Sequence, residues 1–530
     1  RGEEENPSLC LSPLLPLSPS FSALDADLRD LVARGLVHHD VREGRFDLHP
    51  IVRRYAYDRL AAPERAAAHT TLRDYFGAVP APDKVTRLED LAPVIELYHH
   101  TVRAGQLDEA CDLFYDRLHN PLYFQLGAYQ LIIDLLRPLF PDGEDRPPRL
   151  KDENAQAWTL AALANSYSLS GQPRRAVPLF EQHNAMQEKQ GNKLNLAIGL
   201  GNVAIQQLVI GALPVAEASL RRGFASCREI KDQFWEAVGH EELGRLLAYR
   251  GAYDESETEL ATARKMFEKQ KSVQGQGITW AYRALGGLLR LRQAACGGNW
   301  RSEISDLKSA LAPARRALEL ADEDARTVSP VERDYVRAHW LLGAAHRVAG
   351  QPDEAERHLH EALERCRRIN AVDGEADILI DLARLRAATH AADEAGRLAG
   401  EALLIADRSG YVLQAADAHL ELARLALARG DRPAAREHAE QAHRLATCDG
   451  PPTTPTSPPT PNPPPSSPSS NVTALPNAHG SPMGCLRSQP QDSFGAGLRP
   501  RRNGRPKVSQ NRFVSASWQQ QSGVSILLAF

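Results

Sequence analysis

The chain has 530 residues, a formal net charge of −4 and an aromatic content of 6%. Its length allows two or more domains, and its middle part lacks the alternating β-branched blocks that strands require, which excludes a large sheet there. The charge balance is +6 over residues 451–530 and −10 over the rest. The acidic body argues against a groove for duplex DNA, so we expect nucleic acid not to be a partner.

The cysteines and the apolar runs of the sequence indicate the cellular compartment that we expect for the protein. The seven cysteines include no C-x-x-C pair, so neither a zinc site nor a disulfide framework is indicated, and we expect reduced thiols in a cytoplasmic protein. No apolar run approaches the roughly 20 residues that cross a membrane, and the acidic, Pro-broken start does not resemble a signal peptide. We expect residues 1–20 to be a disordered leader. Because the sequence begins at Arg1 and not at Met, we expect it to be a fragment.

Residues 21–62 predict a helix, a short β-hairpin and a second helix. Apolar residues recur at helical spacing from Leu24 to Val32, and Gly35 ends this helix. Two apolar stretches then flank the polar turn Arg42–Arg45, as in a β-hairpin. A second helix follows from Pro50 to Leu60.

This order resembles the winged-helix domain of STAND signalling NTPases of the NB-ARC type, in which a Met-His-Asp motif follows the hairpin. The motif reads Leu48-His49-Pro50 here. In that family the motif His contacts the β-phosphate of ADP, so the resemblance implies this role for His49 in an intact protein that binds ADP or ATP. The family's Asp is Pro50, so its regulatory contact is not carried over.

The alternative for His49 is a helix cap or a contact to the hairpin. No G-x-x-x-x-G-K-[ST] motif occurs in the sequence, so we expect no nucleotide cofactor in this chain. Residues 63–150 are expected to form a helical linker with a first, divergent repeat. The long interval from Leu97 to Leu163 predicts an irregular helix and a Pro-rich loop between Pro121 and Pro148.

A helical hairpin recurs along the chain, with a first divergent copy before residue 151 and a period of 40 residues over most of the array at 151–447. Each unit has an aligned apolar residue, a turn residue eight positions later and a small residue five positions beyond the turn. The aligned residues are Leu97, Leu163, Val203, Leu243, Leu285, Leu342, Leu382 and Leu422. The turn residues are Gly105, Gly171, Gly211, Gly251, Gln293, Gly350, His390 and Gly430. The small residues are Ala110, Ala176, Ala216, Ser256, Ala355, Ala395 and Ala435.

This pattern resembles the tetratricopeptide repeat, in a variant with a period near forty, from about Leu91 to Ala446. The resemblance implies an all-α superhelix of hairpins whose first helices line a concave groove for a protein or peptide ligand. An interval of 57 residues between Leu285 and Leu342 predicts an insertion around Gly297–Trp300.

The position two residues after each aligned apolar residue is expected to face this groove. The candidate groove residues are Asn165, Arg245, Arg384 and Arg424. Three arginines on one wall would suit an acidic peptide, because a guanidinium pairs with a carboxylate through two hydrogen bonds. Alternatively, each arginine pairs with the acidic residue three positions before it on its own helix. Those acidic residues are Glu242, Asp381 and Glu421.

No catalytic or metal-binding pattern stands out. His38, His39, His99, His100, His358 and His360 lack acidic or thiol partners at ligand spacing, so we expect solvated histidines and no metal site. No G-x-S-x-G elbow occurs, and no catalytic residue is indicated.

The resulting interpretation is a non-catalytic sensor and scaffold arm of a multidomain STAND-type NTPase. Its nucleotide-binding core would lie outside this chain and would itself be a partner of the arm. Two alternatives stay open: the repeat region of a STAND-type transcriptional activator, and a free-standing tetratricopeptide-repeat adaptor.

Residues 448–530 form a Pro-rich tail that we expect to be disordered, because Pro451–Ser470 is half proline and apolar periodicity is absent. One interpretation is a native tail. The other is a change of reading frame near Pro452, because a shifted frame over Thr453–Thr460 allows an aromatic helix, and a solenoid needs a closing helix at this place.

Overall fold

The computed structural model describes residues 20–41, 45–80, 84–296, 303–326 and 330–447. The predicted insertion around Gly297–Trp300 and the tail 448–530 lie outside the described residues, as does the expected leader except for Ser20. None of the helices in the described part of the chain combines the length and the apolar character of a membrane span.

The N-terminal segment consists of a helix, a β-hairpin and a helix, in the predicted order. The elements are α1 (Ser20–Ala33), β1 (Val37–Asp40), β2 (Arg45–Leu48) and α2 (Pro50–Arg59). The strands are antiparallel, with Val37 opposite Leu48, and Gly35 ends α1 with a φ of +69°. The assignment of this segment to a winged-helix domain stays a prediction.

The segment that connects the hairpin to the repeats is helical but irregular. It contains α3 (Ala62–Gly77), α4 (Ala92–Arg103), α5 (Leu107–Leu113) and α6 (Tyr129–Leu136). Two π-helical turns, Phe114–Leu118 and Pro121–Gln125, separate α5 from α6. The irregular helix that the long interval predicts is present.

Fourteen helices form the repeat array within the described residues. They are α7 (Glu153–Leu169), α8 (Pro173–Lys189), α9 (Lys193–Val209), α10 (Leu213–Ile230), α11 (Gln233–Tyr249), α12 (Tyr253–Gln270), α13 (Val273–Cys296), α14 (Glu303–Ala325), α15 (Glu332–Val348), α16 (Pro352–Arg368), α17 (Val372–Ala388), α18 (Ala392–Ser409), α19 (Val412–Ala428) and α20 (Arg432–Ala446). Each odd-numbered helix packs against the even-numbered helix that follows it, and from α9 to α19 the odd-numbered helices also contact one another. The prediction of an all-α array of helical hairpins is confirmed.

Small residues allow the two helices of a hairpin to approach closely. Ala355 is fully buried between α15 and α16. On the facing helix, a Cβ added to Gly343 would lie 2.7 Å from the Cγ of Leu359, so only glycine fits there. Gly244 repeats this arrangement in the α11–α12 hairpin, where an added Cβ would lie 2.5 Å from the Cγ of Leu260. The small residues at these positions therefore determine how closely the two helices of a hairpin pack.

The turn predicted at Gln293 is wrong. Helix α13 continues through this residue to Cys296. Glutamine is a good helix former and does not favour the left-handed conformation in which glycine ends the neighbouring helices. The turn predicted at His390 is present, and its φ of +63° shows that a non-glycine residue takes the left-handed conformation there.

We expect Ala355→Trp to lower the free energy of unfolding by about 3 kcal/mol, because an indole cannot fit between α15 and α16 without displacing one of them. Urea denaturation followed by circular dichroism measures the change. Glu364→Trp, at an exposed position of the same helix, is the matched control and should change stability little. Equal effects of the two substitutions would contradict the close approach at Ala355.

Candidate functional site

The repeat array curves until its first hairpins contact its last ones. In the turn between α7 and α8, a Cβ added to Gly171 would lie 3.1 Å from the Cγ1 of Val372 and 3.3 Å from the hydroxyl of Tyr411. In the next turn, a Cβ added to Gly211 would lie 2.8 Å from the Cγ1 of Val412. These two glycines therefore provide the left-handed turn and also the space for α17 and α19. The concave side is therefore an interior bordered by both ends of the array.

A cavity of about 130 Å³ lies in this interior. It is bounded by the first helices of the hairpins, and its lining combines charged, aromatic and amide groups. The charged lining residues are Arg245, Arg333, Arg337, Asp373 and Asp377. The aromatic lining residues are Tyr249, Tyr282, Trp340 and Tyr411.

Two arginines hold the ring of Tyr282 in the cavity wall. The guanidinium carbons of Arg245 and Arg337 lie 5.1 and 5.5 Å from the ring centre, within cation–π range. The Tyr282 hydroxyl donates a hydrogen bond of 3.1 Å to one carboxylate oxygen of Glu242. The other oxygen of Glu242 lies 2.7 Å from Nη2 of Arg245. This part of the wall therefore places two guanidinium groups against one aromatic ring.

Several buried polar atoms of the wall have no hydrogen-bond partner among the described residues. Nε and Nη2 of Arg245 are two of them, since Nη2 is close to Glu242 but not aligned for a hydrogen bond. Gln414, only 5% exposed, donates a 3.1 Å hydrogen bond from its Nε2 to Asp377, while its Oε1 has no partner. Buried polar atoms are almost always hydrogen-bonded, so these groups are suited to bind a polar ligand or water.

The protonation of Asp377 adds to the positive character of the cavity. Burial raises the pKa of this carboxyl to about 8, with a smaller contribution from the negative charges of Asp417 and Asp381, although the hydrogen bond from Gln414 lowers it. Asp377 is therefore largely neutral at pH 7. Among the lining residues, three arginines then accompany one ionised carboxylate, that of Asp373, while Glu242 and Asp334 pair with Arg245 and Arg337 from outside the lining.

A set of six charged residues, here called the inner charge network, lies beside the cavity. Its members are Arg292, Arg347, Asp381, Arg384, Asp417 and Glu421. Arg384 is its centre: this side chain is 9% exposed and contacts Asp381 at 3.2 Å, Asp417 at 3.0 Å and Glu421 at 2.8 Å. Three positive and three negative groups make the network neutral overall.

The inner charge network connects four successive first helices. Arg292 on α13 donates two hydrogen bonds, of 2.8 and 2.9 Å, to Asp417 on α19. Arg347 and the indole nitrogen of Trp340, both on α15, donate to Asp381 on α17 at 3.2 and 2.8 Å. Burial alone would raise the pKa of Asp417, but Arg292 and Arg384 lower it overall. Asp417 therefore stays ionised at neutral pH.

The four predicted groove residues occupy different environments. Arg245 lines the cavity, and Arg384 is the centre of the inner charge network. Arg424 is 50% exposed and contacts Glu421 at 2.8 Å. Asn165 is partly buried and is not part of the cavity lining. The ion pairs within a helix that the alternative predicts are present for all three arginines.

Sequence reasoning missed the other cavity residues because it considered one position of each first helix. Arg333 and Asp373 stand nine residues before their aligned leucines, and Arg337 and Asp377 stand five before. Charged residues that recur at these two repeat positions in α15 and α17 are the signal that could have identified the lining.

Two predictions about histidines can be compared with the structure. His49 is the N-cap of α2, and its Nδ1 accepts a 3.3 Å hydrogen bond from the backbone nitrogen of Ile51, as the capping alternative predicts. The expectation that His358 is solvated is wrong, because this residue is 5% exposed. It lies on the face of α16 that packs against α15, where its ring contacts His339. His360, away from that face, is 55% exposed, as expected.

No protein-family model matches this chain, and no curated protein matches it. Among solved structures it is similar to a Rap protein complexed with competence and sporulation factor, with 12% identity, coverage of 68% of this chain and 98% of that one, and a TM-score of 0.45. A Rap conjugation gene regulator of the plasmid pLS20, in complex with the Phr* peptide, has 12% identity, coverages of 73% and 96%, and a TM-score of 0.46.

A third similar structure is a STAND protein with a tetratricopeptide repeat sensor from Pyrococcus horikoshii. It has 13% identity and a TM-score of 0.34; the match covers 80% of this chain and 58% of that one. The assignment of the fold rests on the hairpin geometry of the present protein.

Arg384→Met should lower the free energy of unfolding by about 3 kcal/mol or more, because it leaves buried carboxylates without their central partner. Chemical denaturation at pH 7 measures this change. Arg424→Met is the matched control at the equivalent repeat position, and it should cost less than about 1 kcal/mol because that ion pair is half exposed.

The difference between wild type and Arg384→Met should also depend on pH. Arg384 lowers the pKa of Asp417 in the folded state below its ordinary value of 3.8, so the stability it contributes is present above that pH. It is lost as the pH falls through the folded-state pKa. A difference that grows on acidification would contradict this assignment.

Proposed function

We propose that the repeat array is a non-catalytic binding scaffold that recognises a protein or peptide segment through a carboxylate placed in the interior cavity. The observation that carries this proposal is the cavity wall of Arg245, Arg333 and Arg337, with buried donor atoms of Arg245 that have no hydrogen-bond partner among the described residues. A ligand carboxylate would satisfy these donors, and the neutral form of Asp377 would not repel it.

The size of the cavity limits what can enter. Its volume of about 130 Å³ is close to that of an engineered protein cavity of about 150 Å³ that holds one benzene molecule. One acidic side group or the terminal carboxylate of a peptide fits this space. A whole helix, about 10 Å across, does not. The ligand therefore inserts an anchor residue, while the rest of the peptide contacts the rim.

Entry of the anchor is coupled to the curvature of the array. The first and last hairpins meet at Gly171, Val372 and Tyr411, and Tyr411 also lines the cavity. A ligand that enters between the first and last hairpins either changes the distance between them or stabilises one value of this distance. Such a change at the ends of the array is how a repeat domain reports ligand binding to an attached domain.

In this proposal the array is the sensor arm of a cytoplasmic STAND-type NTPase, and its own nucleotide-binding domain is its second partner. His49 would contact ADP only in the intact protein, through its exposed ring at the start of α2. The gene sequence upstream of Arg1 separates this proposal from its alternatives. A P-loop there favours a STAND protein, an additional DNA-binding domain favours the activator, and an immediate start codon favours the adaptor.

A random peptide library displayed on phage and selected on the purified 530-residue chain tests ligand binding. We expect the enriched peptides to share an acidic residue or a free C-terminal carboxylate. Their affinity, measured by calorimetry with synthetic peptides, should fall at least about tenfold for Arg245→Gln, because a charge-assisted hydrogen bond contributes about 1.5–3 kcal/mol. Arg424→Gln, outside the cavity, should bind normally. Peptides that bind both variants equally would contradict the proposed cavity site.

A further inference from the structure

The hairpin of α15 and α16 brings together three residues that are suited to bind a metal ion. His346 lies in the last turn of α15, and Glu354 and His358 lie in the first two turns of α16, across the turn at Gly350. One ligand atom of each lies within 4.8 Å of the other two. Both histidines are nearly buried, at 7% and 5% exposure, whereas Glu354 reaches the surface. The cluster is therefore accessible from solvent on one side.

The hydrogen bonds around the two histidines leave the same ring nitrogen of each available. Nδ1 of His346 donates to Oε1 of Gln351 at 2.6 Å, so its Nε2 carries a lone pair. Nδ1 of His358 lies 2.8 Å from Nδ1 of His339, where one ring donates and the other accepts. With His358 as the donor, its Nε2 also carries a lone pair. Metal-binding histidines characteristically have their other ring nitrogen fixed by such a partner.

A cation already occupies part of this cluster. Nη2 of Arg357 lies 2.5 Å from a carboxylate oxygen of Glu354 and 3.0 Å from Nε2 of His358. The arginine is 62% exposed and can rotate into solvent without disturbing the packing. Its guanidinium therefore occupies part of the position that a metal ion bound to Glu354 and His358 would take.

Comparison with the other repeats separates the histidine pair from the complete cluster of three possible ligands. His339 and His358 occupy a position pair of the hairpin core that is Leu379 and Leu398 in the next repeat. Eighty residues after the first pair, His419 and His438 form the same contact, at 3.0 Å between their Nδ1 atoms. Ala426 and Ala434 stand there in place of His346 and Glu354. The hairpin of α19 and α20 thus has the histidine pair without the additional ligands.

We propose that His346, Glu354 and His358 bind one divalent transition-metal ion, with Zn²⁺ as the best match and a water molecule as the fourth ligand. Two imidazoles and one carboxylate are a common set of three protein ligands for Zn²⁺, and imidazole selects against Mg²⁺ and Ca²⁺. Arg357 competes with the metal and leaves the site when the metal binds.

The metal would connect the end of α15 to the start of α16. Arg347, next to His346, belongs to the inner charge network, and Trp340 on the same helix lines the cavity. Metal binding would therefore stabilise the helix that forms one wall of the interior. The metal site does not depend on the proposed peptide binding.

Calorimetric titration of the purified 530-residue chain with ZnCl₂, and absorption spectra with CoCl₂ as the probe, test the site. We expect one strongly bound Zn²⁺ per molecule and the visible absorption of tetrahedral Co²⁺. Glu354→Gln, a surface substitution that does not affect packing, should weaken binding at least about tenfold. His358→Leu, which introduces the residue of the next repeat, should do the same. Arg357→Ala should strengthen binding, because it removes the competing cation.

His360→Gln is the control, since this exposed histidine of the same helix lies outside the cluster and the substitution should change nothing. The His419–His438 pair serves as an internal comparison. A second equivalent ion bound there would show that the histidine pair alone is sufficient, which would overturn the assignment of Glu354 and His346. Unchanged stoichiometry and affinity in Glu354→Gln and Arg357→Ala would overturn the proposal as well.

Discussion

The ion pair between Arg292 and Asp417 is the contact on which the interior of this protein depends. It joins α13 to α19, which are separated by two complete hairpins in the sequence. Charges taken out of water are costly unless each is paired, so the helices are restricted to arrangements that keep all six members of the inner charge network in contact. The side-by-side packing of neighbouring hairpins alone allows a range of curvatures. We expect the network to favour the curvature at which the cavity forms.

Two kinds of interaction therefore stabilise the array at different levels. Within a hairpin, the absence of side-chain volume at Gly343 and Ala355 lets apolar helices pack closely, and this packing is local in sequence. Between distant hairpins, ion pairs and the contacts of Gly171 and Gly211 determine the overall curvature. A ligand that alters the contacts between distant hairpins can change the curvature of the array without unfolding a hairpin. This separation suits a domain that transmits binding as a change of shape.

The hairpins could be predicted from the sequence because their determinants repeat. Glycine at the turn and alanine five residues later reflect backbone conformation and steric fit, which are local properties. The same rule failed at Gln293, where no glycine ends the helix and α13 continues to Cys296. The enclosed interior could not be predicted, because curvature depends on pairs such as Arg292 and Asp417 that have no fixed spacing.

The histidine cluster likewise depends on contacts between helices and not on the local spacing of residues in the sequence. Spacing along one helix gave no reason to connect His358 with His346, since the partner lies on the preceding helix beyond a turn. Only the packing of α15 against α16 brings the two rings together with Glu354. Of the candidate groove residues, Arg245 lines the cavity, whereas Arg384 at the equivalent repeat position is part of the inner charge network.

A double-mutant cycle on Arg292 and Asp417 tests the enclosed interior most directly. The stabilities of Arg292→Met, Asp417→Asn and the double variant are measured by chemical denaturation at pH 7. Because the two residues contact each other through two hydrogen bonds, we expect a coupling free energy of about 1–3 kcal/mol. Effects that add to within about 0.5 kcal/mol would mean that α13 and α19 do not meet and would contradict the closed array.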